Sequence, residues 1–471
     1  MTLLDARTAR LLPWIVAIAF FMQTLDGTIL NTALPSMAAD LSEDPLRMQS
    51  VIIAYMLTVA LLIPASGWLA DRFGTRHIFF GAILLFSLGS LLCAVSQSLN
   101  MLVIARIIQG LGGALMMPVG RLVVLRAYPR TELVRIMSFI TLPGLLGPLI
   151  GPTLGGWLVE YTSWHWIFLI NLPVGALGCW AAFRFMPDLR GSERTRFDLA
   201  GFLLFGAAML LITMALEGLG ELHLPHMRVV LLLLIGLACL AAYWLRAGRT
   251  PNALFPPSLF HTRSFAVGIL GNIFARLGSG ALPFLTPLLL QLGMGYSPAQ
   301  AGMSMIPLAL AAMAMKPLAK PLIDRLGYRR ILTTNTVLLG LLITSMALVD
   351  GQTSHVQLAI QLSLIGAINS LQFTAMNTVT LIDLQDHEAS SGNGLLSVVV
   401  QLSMSMGIAS AAALLSGFSL DNQGAVDGVL SAFQATYLCV GLLSILAAGI
   451  FLQLSPDDGR RARRVKVEVD E

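Results

Sequence analysis

Fourteen stretches of roughly 20 apolar residues, separated by short polar loops, dominate this sequence and limit what it can fold into. They lie near 12–34, 49–70, 78–97, 101–124, 136–159, 165–186, 199–216 and 229–246, then 265–290, 299–322, 331–349, 356–381, 392–416 and 432–453. A hydrocarbon core about 30 Å thick is crossed by about 20 helical residues, and a helix satisfies every backbone group within its own segment. No soluble fold can bury fourteen such runs behind a polar shell. Of 471 residues, 56% are apolar and 11% charged, against about 25% charged in soluble domains. A mean hydropathy of +0.79 agrees. The chain therefore reads as an all-α polytopic membrane protein, and a soluble enzyme is excluded. Arg7 and Arg10 precede the first run as they would in a signal peptide, but Asp26 and Pro35 mark it as a retained first helix.

Basic residues provide the topology. Arg47 and Arg228 fall on one side and Arg106, Arg121 and Arg276 fall within spans, leaving 24 of 29 on the other side, with both termini. Basic loops stay on the cytoplasmic face, so both ends are expected there. The net charge of +4 is too small and scattered for nucleic-acid binding. Cys93, Cys179, Cys239 and Cys439 sit in apolar runs without metal-ligand spacing and read as packing residues.

A repeat divides the chain. Gly67-Trp-Leu-Ala-Asp-Arg-Phe-Gly-Thr-Arg76 and Lys320-Pro-Leu-Ile-Asp-Arg-Leu-Gly-Tyr-Arg329 share leucine, aspartate, arginine, glycine and arginine at equal offsets. The first copy joins spans 2 and 3, the second spans 10 and 11, giving six helices, two extra helices and six more. The expected division is a six-helix bundle over 1–190, a two-helix insertion with linkers over 191–263, a second bundle over 264–455 and a charged cytoplasmic tail over 456–471. Parallel repeats of this kind typify secondary transporters, with a substrate site near the midplane.

The motifs also resemble a known family. The Gly67–Arg76 loop is similar to the signature of the major facilitator superfamily, and Leu25-Asp-Gly-Thr-Ile-Leu-Asn-Thr-Ala-Leu-Pro35 to the first-helix motif of its fourteen-helix drug:proton antiporter branch. Arg106-Ile-Ile-Gln-Gly-Leu-Gly-Gly-Ala114, Gly147-Pro-Leu-Ile-Gly-Pro-Thr-Leu-Gly-Gly156 and Trp164-His-Trp-Ile-Phe-Leu-Ile-Asn-Leu-Pro173 resemble the motifs of spans 4, 5 and 6. The resemblance runs along the whole chain, with two departures: His165 stands where arginine is usual, and Lys320 replaces the glycine that opens the second loop, calling its packing into question. It implies a major facilitator fold with 14 transmembrane helices in a bacterial inner membrane, working as a proton-driven drug exporter by alternating access.

Each motif carries a physical reading. Asp26 lies ~12 Å from the outer end of span 1, and Arg106 lies ~8 Å into span 4 from the same side. An ionisable group at such depth is a functional candidate by default, so Asp26 with Arg106 is the candidate for proton coupling; a structural ion pair is the alternative. Arg276 lies ~16 Å deep, close to the midplane, where it suits either an anionic substrate group or an internal partner. Arg276, Asn31, Asn369, Gln372, Met376 and Gln401 form the candidate substrate pocket; the polar stripes on spans 12 and 13 serve equally as bonds between helices. Gly67, Asp71, Arg72, Gly74 and Arg76, with Asp324, Arg325, Gly327 and Arg329, form a candidate cytoplasmic latch, or simply anchor the topology by charge. Gly147, Gly151 and Gly155, with Gly156, Pro148 and Pro152, mark a helix face built for close approach, for bending, or for both.

No phosphate-binding loop, zinc-protease motif or nucleophile elbow occurs in the sequence, which argues against an ATP-driven pump or a membrane enzyme. The expected activity is proton-driven export of small organic compounds. Export of anionic metabolites, such as citrate-like carboxylates or their metal chelates, and passive facilitation are the alternatives. No cofactor or metal is expected beyond the proton as coupling ion. The partners are a small-molecule substrate and the lipid bilayer, with function as a monomer.

Overall fold

The computed structural model describes residues 6–191, 197–220, 226–250, 253–421, 428–455 and 458. Arg194, Arg196 and nearly all of the charged 456–471 tail lie outside the described residues. Among the described residues the secondary structure is helical throughout, without strands, and all four cysteines are free.

The apolar runs become long helices: α1 (Ala6–Ile29), α2 (Gln49–Leu62, extended by Ser66–Phe73), α3 (Thr75–Ala94), α4 (Leu99–Ala127), α5 (Arg130–Tyr161) and α6 (Asn171–Phe185). They are followed by α7 (Leu199–Gly220) and α8 (His226–Ala247). The remainder are α9 (Arg263–Ser279, continued by Leu282–Leu288), α10 (Ile306–Leu326), α11 (Tyr328–Ser345), α12 (His355–Ile382), α13 (Asp386–Asp421) and α14 (Gly428–Phe451). Among the described residues, thirteen helices are long and apolar enough to cross a bilayer. The 32-residue α5 carries the remaining run, with Pro143, Pro148 and Pro152 inside it.

Local chemistry sets the ends of several helices. Ser98 and Ser354 accept from the backbone amides of Met101 and Gln357, capping α4 and α12. Gly74 (φ 92°, ψ 142°) separates α2 from α3, and Gly327 (φ 78°, ψ 157°) separates α10 from α11. This region of backbone space is essentially confined to glycine, so the sequence repeat folds as the same turn twice.

The chain forms two compact units. The first comprises residues 1–197 with 296–303, and the second comprises 198–295 with 304–471. Unit 1 packs Phe20, Phe79, Phe86 and Phe168 fully buried; in unit 2, Phe265, Phe284, Phe433 and Phe451 do the same. The extra helices α7 and α8 belong to unit 2, where Arg246 of α8 pairs with Asp198 at the start of α7, 2.5 Å apart.

Candidate functional site: a buried ion pair in unit 1

Asp26 ends up in a cage of polar side chains from four helices. Its Oδ2 accepts from the Arg106 guanidinium at 2.7 Å, and its Oδ1 accepts from Gln109 Nε2 at 2.8 Å and Asn171 Nδ2 at 3.2 Å. Arg106 also donates to Gln109 Oε1 at 2.6 Å and to the Val51 carbonyl at 3.2 Å, and it lies 4.2 Å from the Tyr55 ring centroid. Gln109 and Asn171 both reach Ser90 Oγ. The Asp26 side chain is 0% exposed and that of Arg106 1%. The two residues form a direct, sealed pair.

The sequence could have identified the remainder of this cage. Ser90, Gln109 and Asn171 are all polar residues inside apolar runs, and the last two stand within the span 4 and span 6 motifs. Burying a charged pair is tolerable when every remaining lone pair and proton finds a partner, and these amides supply those partners. What such a cage can do chemically is hold one carboxylate whose protonation breaks one strong charge-assisted bond and weakens two others.

The α5 glycines press against α1. A Cβ at Gly147 would lie 2.7 Å from the Leu25 amide nitrogen, at Gly151 3.0 Å from that of Ile29, and at Gly155 2.1 Å from the Ile29 carbonyl oxygen. Thr28 donates to the Gly147 carbonyl and Thr32 to the Pro152 carbonyl. The stripe is thus a backbone-to-backbone contact, cross-linked by hydroxyls, directly along the helix that carries Asp26. Gly156 faces the Pro298 carbonyl, and Glu160 at the end of α5 accepts from Ser297 Oγ at 2.6 Å and the Ala299 amide at 2.9 Å. These bonds hold the Glu160 carboxyl below the ordinary glutamate range, the Ser297 bond contributing most.

At the Gly67–Arg76 loop, Asp71 pairs with Arg126 of α4 at 2.7 Å, a residue outside the expected latch set. The loop is strapped by the segment after α6. Arg76 donates to the Met186 carbonyl, Thr75 Oγ1 to that of Pro187, and the Thr75 amide to that of Leu189. Arg72 is exposed. Gly67 faces open space, so glycine is not sterically required there, and its counterpart Lys320 is exposed; the departure at Lys320 does not disturb packing. Asp324 and Arg325 are exposed and Arg329 is half-buried. The other departure, His165, stacks on Trp164 at 3.8 Å between ring centroids.

In unit 2, Arg276 is 5% exposed and its described partners are neutral. It donates to Asn272 Oδ1 at 2.9 Å and Asn377 Oδ1 at 3.5 Å, with the Phe373 ring centroid 4.4 Å away. Gln372 lies elsewhere, bonded to Asn335 and Thr336 of α11. Met376 sits in the apolar core of the unit. For these two the structure shows bonding between helices and packing. Asn369 and Gln401 are half-buried, and Asn31 is buried in unit 1.

These features describe a polytopic helical protein that buries an Asp–Arg pair in one unit and an arginine, Arg276, in the other. The chain matches the Major Facilitator Superfamily over residues 16–408 and 269–468. It is 51% identical over 445 residues to a Pectobacterium atrosepticum protein named multidrug resistance protein MdtD, covering 94% of this chain and 95% of that one. It is 50% identical over 448 residues to the protein of that name from Yersinia enterocolitica, covering 95% of each. Among solved structures, a POT family transporter bound to a conjugated peptide is similar at a TM-score of 0.70 and 16% identity, covering 95% of this chain and 96% of that one. The human organic anion transporter MFSD10 aligns at 0.61 and 15%, over 94% and 99%. At such identities the solved structures speak only for the fold, which is that of membrane transporters. The chain belongs to the Major Facilitator Superfamily, as a multi-pass membrane transport protein and not an enzyme.

Proposed function

We propose that this protein is a proton-coupled antiporter exporting small organic compounds, drugs among them, from a bacterial cytoplasm across the inner membrane by alternating access. The observation that carries the reading is the sealed Asp26–Arg106 pair. An acidic group that accepts from three donors when charged loses or weakens those bonds when it binds a proton, so its protonation is tied to the arrangement of the bundle around it. One inward proton gains about 2.3 kcal/mol per 100 mV, enough for about a fifty-fold substrate gradient. A single carboxylate suffices. The names of the MdtD relatives support drug-like cargo. No cofactor enters the cycle, and a monomer contains all the groups named.

Gradient-driven dye efflux from proteoliposomes tests this reading. Native protein should exchange dye for protons, and Asp26→Asn should abolish the gradient dependence while dye binding persists. Gradient-driven export at the native rate by Asp26→Asn would refute the assignment.

A second reading concerns the cargo. Arg276 meets amides and an aromatic ring, so its charge is available to an anionic group on the substrate, as in export of carboxylates or their metal chelates. Arg276→Gln should then weaken anionic substrates at least tenfold and leave cationic dyes unaffected.

A further inference from the structure

A groove of about 530 Å³ runs along unit 1 between α1, α3 and α6, with no residue in common with the Asp26 cage. Its floor is buried and apolar (Ile15, Ala19 and Ile83), while Trp14, Leu177 and Trp180 stand at its rims, each more than half exposed. On α1 it reaches from Leu11 to Met22 and on α6 from Val174 to Phe185. Each stretch rises ~16 Å along its helix, the hydrocarbon depth of a single leaflet, which is half of about 30 Å.

The two helices run in opposite directions, so Leu11 and Phe185 share one end of the groove. That end is charged. Arg10 precedes Leu11 and Arg184 precedes Phe185; both are exposed, and the Arg184 guanidinium lies 5.4 Å from the Phe185 ring centroid. Trp14 and Trp180 sit about one turn further in, at the depth where amphipathic rings mark a headgroup boundary. An apolar slot one leaflet deep, with aromatic shoulders and two arginines at its mouth, matches one molecule in charge and length.

We propose that this groove binds an acyl chain of an anionic phospholipid from the arginine-rich leaflet, with its phosphate held by Arg10 and Arg184. The guanidinium fork fits phosphate oxygens, and the walls fit the chain.

Native mass spectrometry tests this on the full chain in detergent with equimolar dioleoyl phosphatidylglycerol and phosphatidylcholine. Retained phosphatidylglycerol should exceed phosphatidylcholine severalfold, and Arg10→Gln and Arg184→Gln should each reduce that excess about fivefold. Gly178→Leu, which fills the groove from a position where a Cβ would meet only Ile83 at 3.5 Å, should lose both lipids while keeping the arginines. A second measurement needs no variant. Phosphatidylglycerol brominated along its chain should quench tryptophan fluorescence more than brominated phosphatidylcholine does. Equal retention or equal quenching of the two lipids by the native chain, or an excess that survives both arginine substitutions, would overturn the proposal.

Discussion

Asp26 and Arg106 stabilise each other only as a pair. Removing one partner strands a buried charge, which costs about 3–5 kcal/mol, whereas replacing both with apolar groups of similar volume is often close to neutral. Arg106→Met is therefore expected to lower the thermal midpoint in detergent sharply, and Asp26→Leu with Arg106→Met together to recover most of it without restoring coupled transport. A double variant as unstable as the single one would show that the amides, not the ion pair, organise the cage. Gly74 makes a second residue-scale case. Its φ of 92° strains any side chain, and a Cβ there would fall 2.1 Å from Asp188 Oδ1. Gly74→Ala should cost about 1–3 kcal/mol through strain alone, seen as a lower midpoint with Arg126 intact.

Between elements, the critical contact is α5 on α1. A methyl group at Gly155 would overlap the Ile29 carbonyl, which is backbone and cannot swing aside. Gly155→Ala should thus destabilise by about 1–3 kcal/mol, and hydrogen exchange should rise along Leu25–Thr32, the stretch that also carries Asp26. Unchanged exchange there would place the strain elsewhere. At the end of α5, the Glu160 carboxyl is held below its ordinary range, so it contributes to the contact with 297–299 while ionised. That contribution is complete above the unfolded glutamate pKa of about 4.3 and fades as the pH falls through the lower folded value. Exchange protection at Ala299 should decline on acidification below that range, and Glu160→Gln should remove the pH dependence. A pH-dependent loss that persists in Glu160→Gln would rule this carboxyl out.

For the whole molecule, the arginine distribution predicts orientation. Twenty-four of 29 basic residues are expected on one face, together with both termini. A fluorescent protein fused at the C-terminus should light up in the cytoplasm, and a phosphatase fused between α7 and α8 should be active outside. The reverse pattern would invert the assignment and transfer the proposed phospholipid to the other leaflet.

The helices and the family were legible in the sequence, because a bilayer demands long apolar helices and leaves few places for charge. Asp26 and Arg106 were legible for the same reason, since a charge in an apolar run is conspicuous wherever the run folds. Tertiary structure decided what each polar side chain meets. Gln109 and Asn171 lie 83 and 145 residues from Asp26 and converge on one of its oxygens, a meeting that no local pattern encodes. Gln372 and Met376 share a helical face with Asn369, yet α11 and the core of unit 2 occupy theirs. Periodicity tells which residues share a face of a helix. Only the packing of one helix on another determines whether that face borders a cavity, a neighbour or lipid.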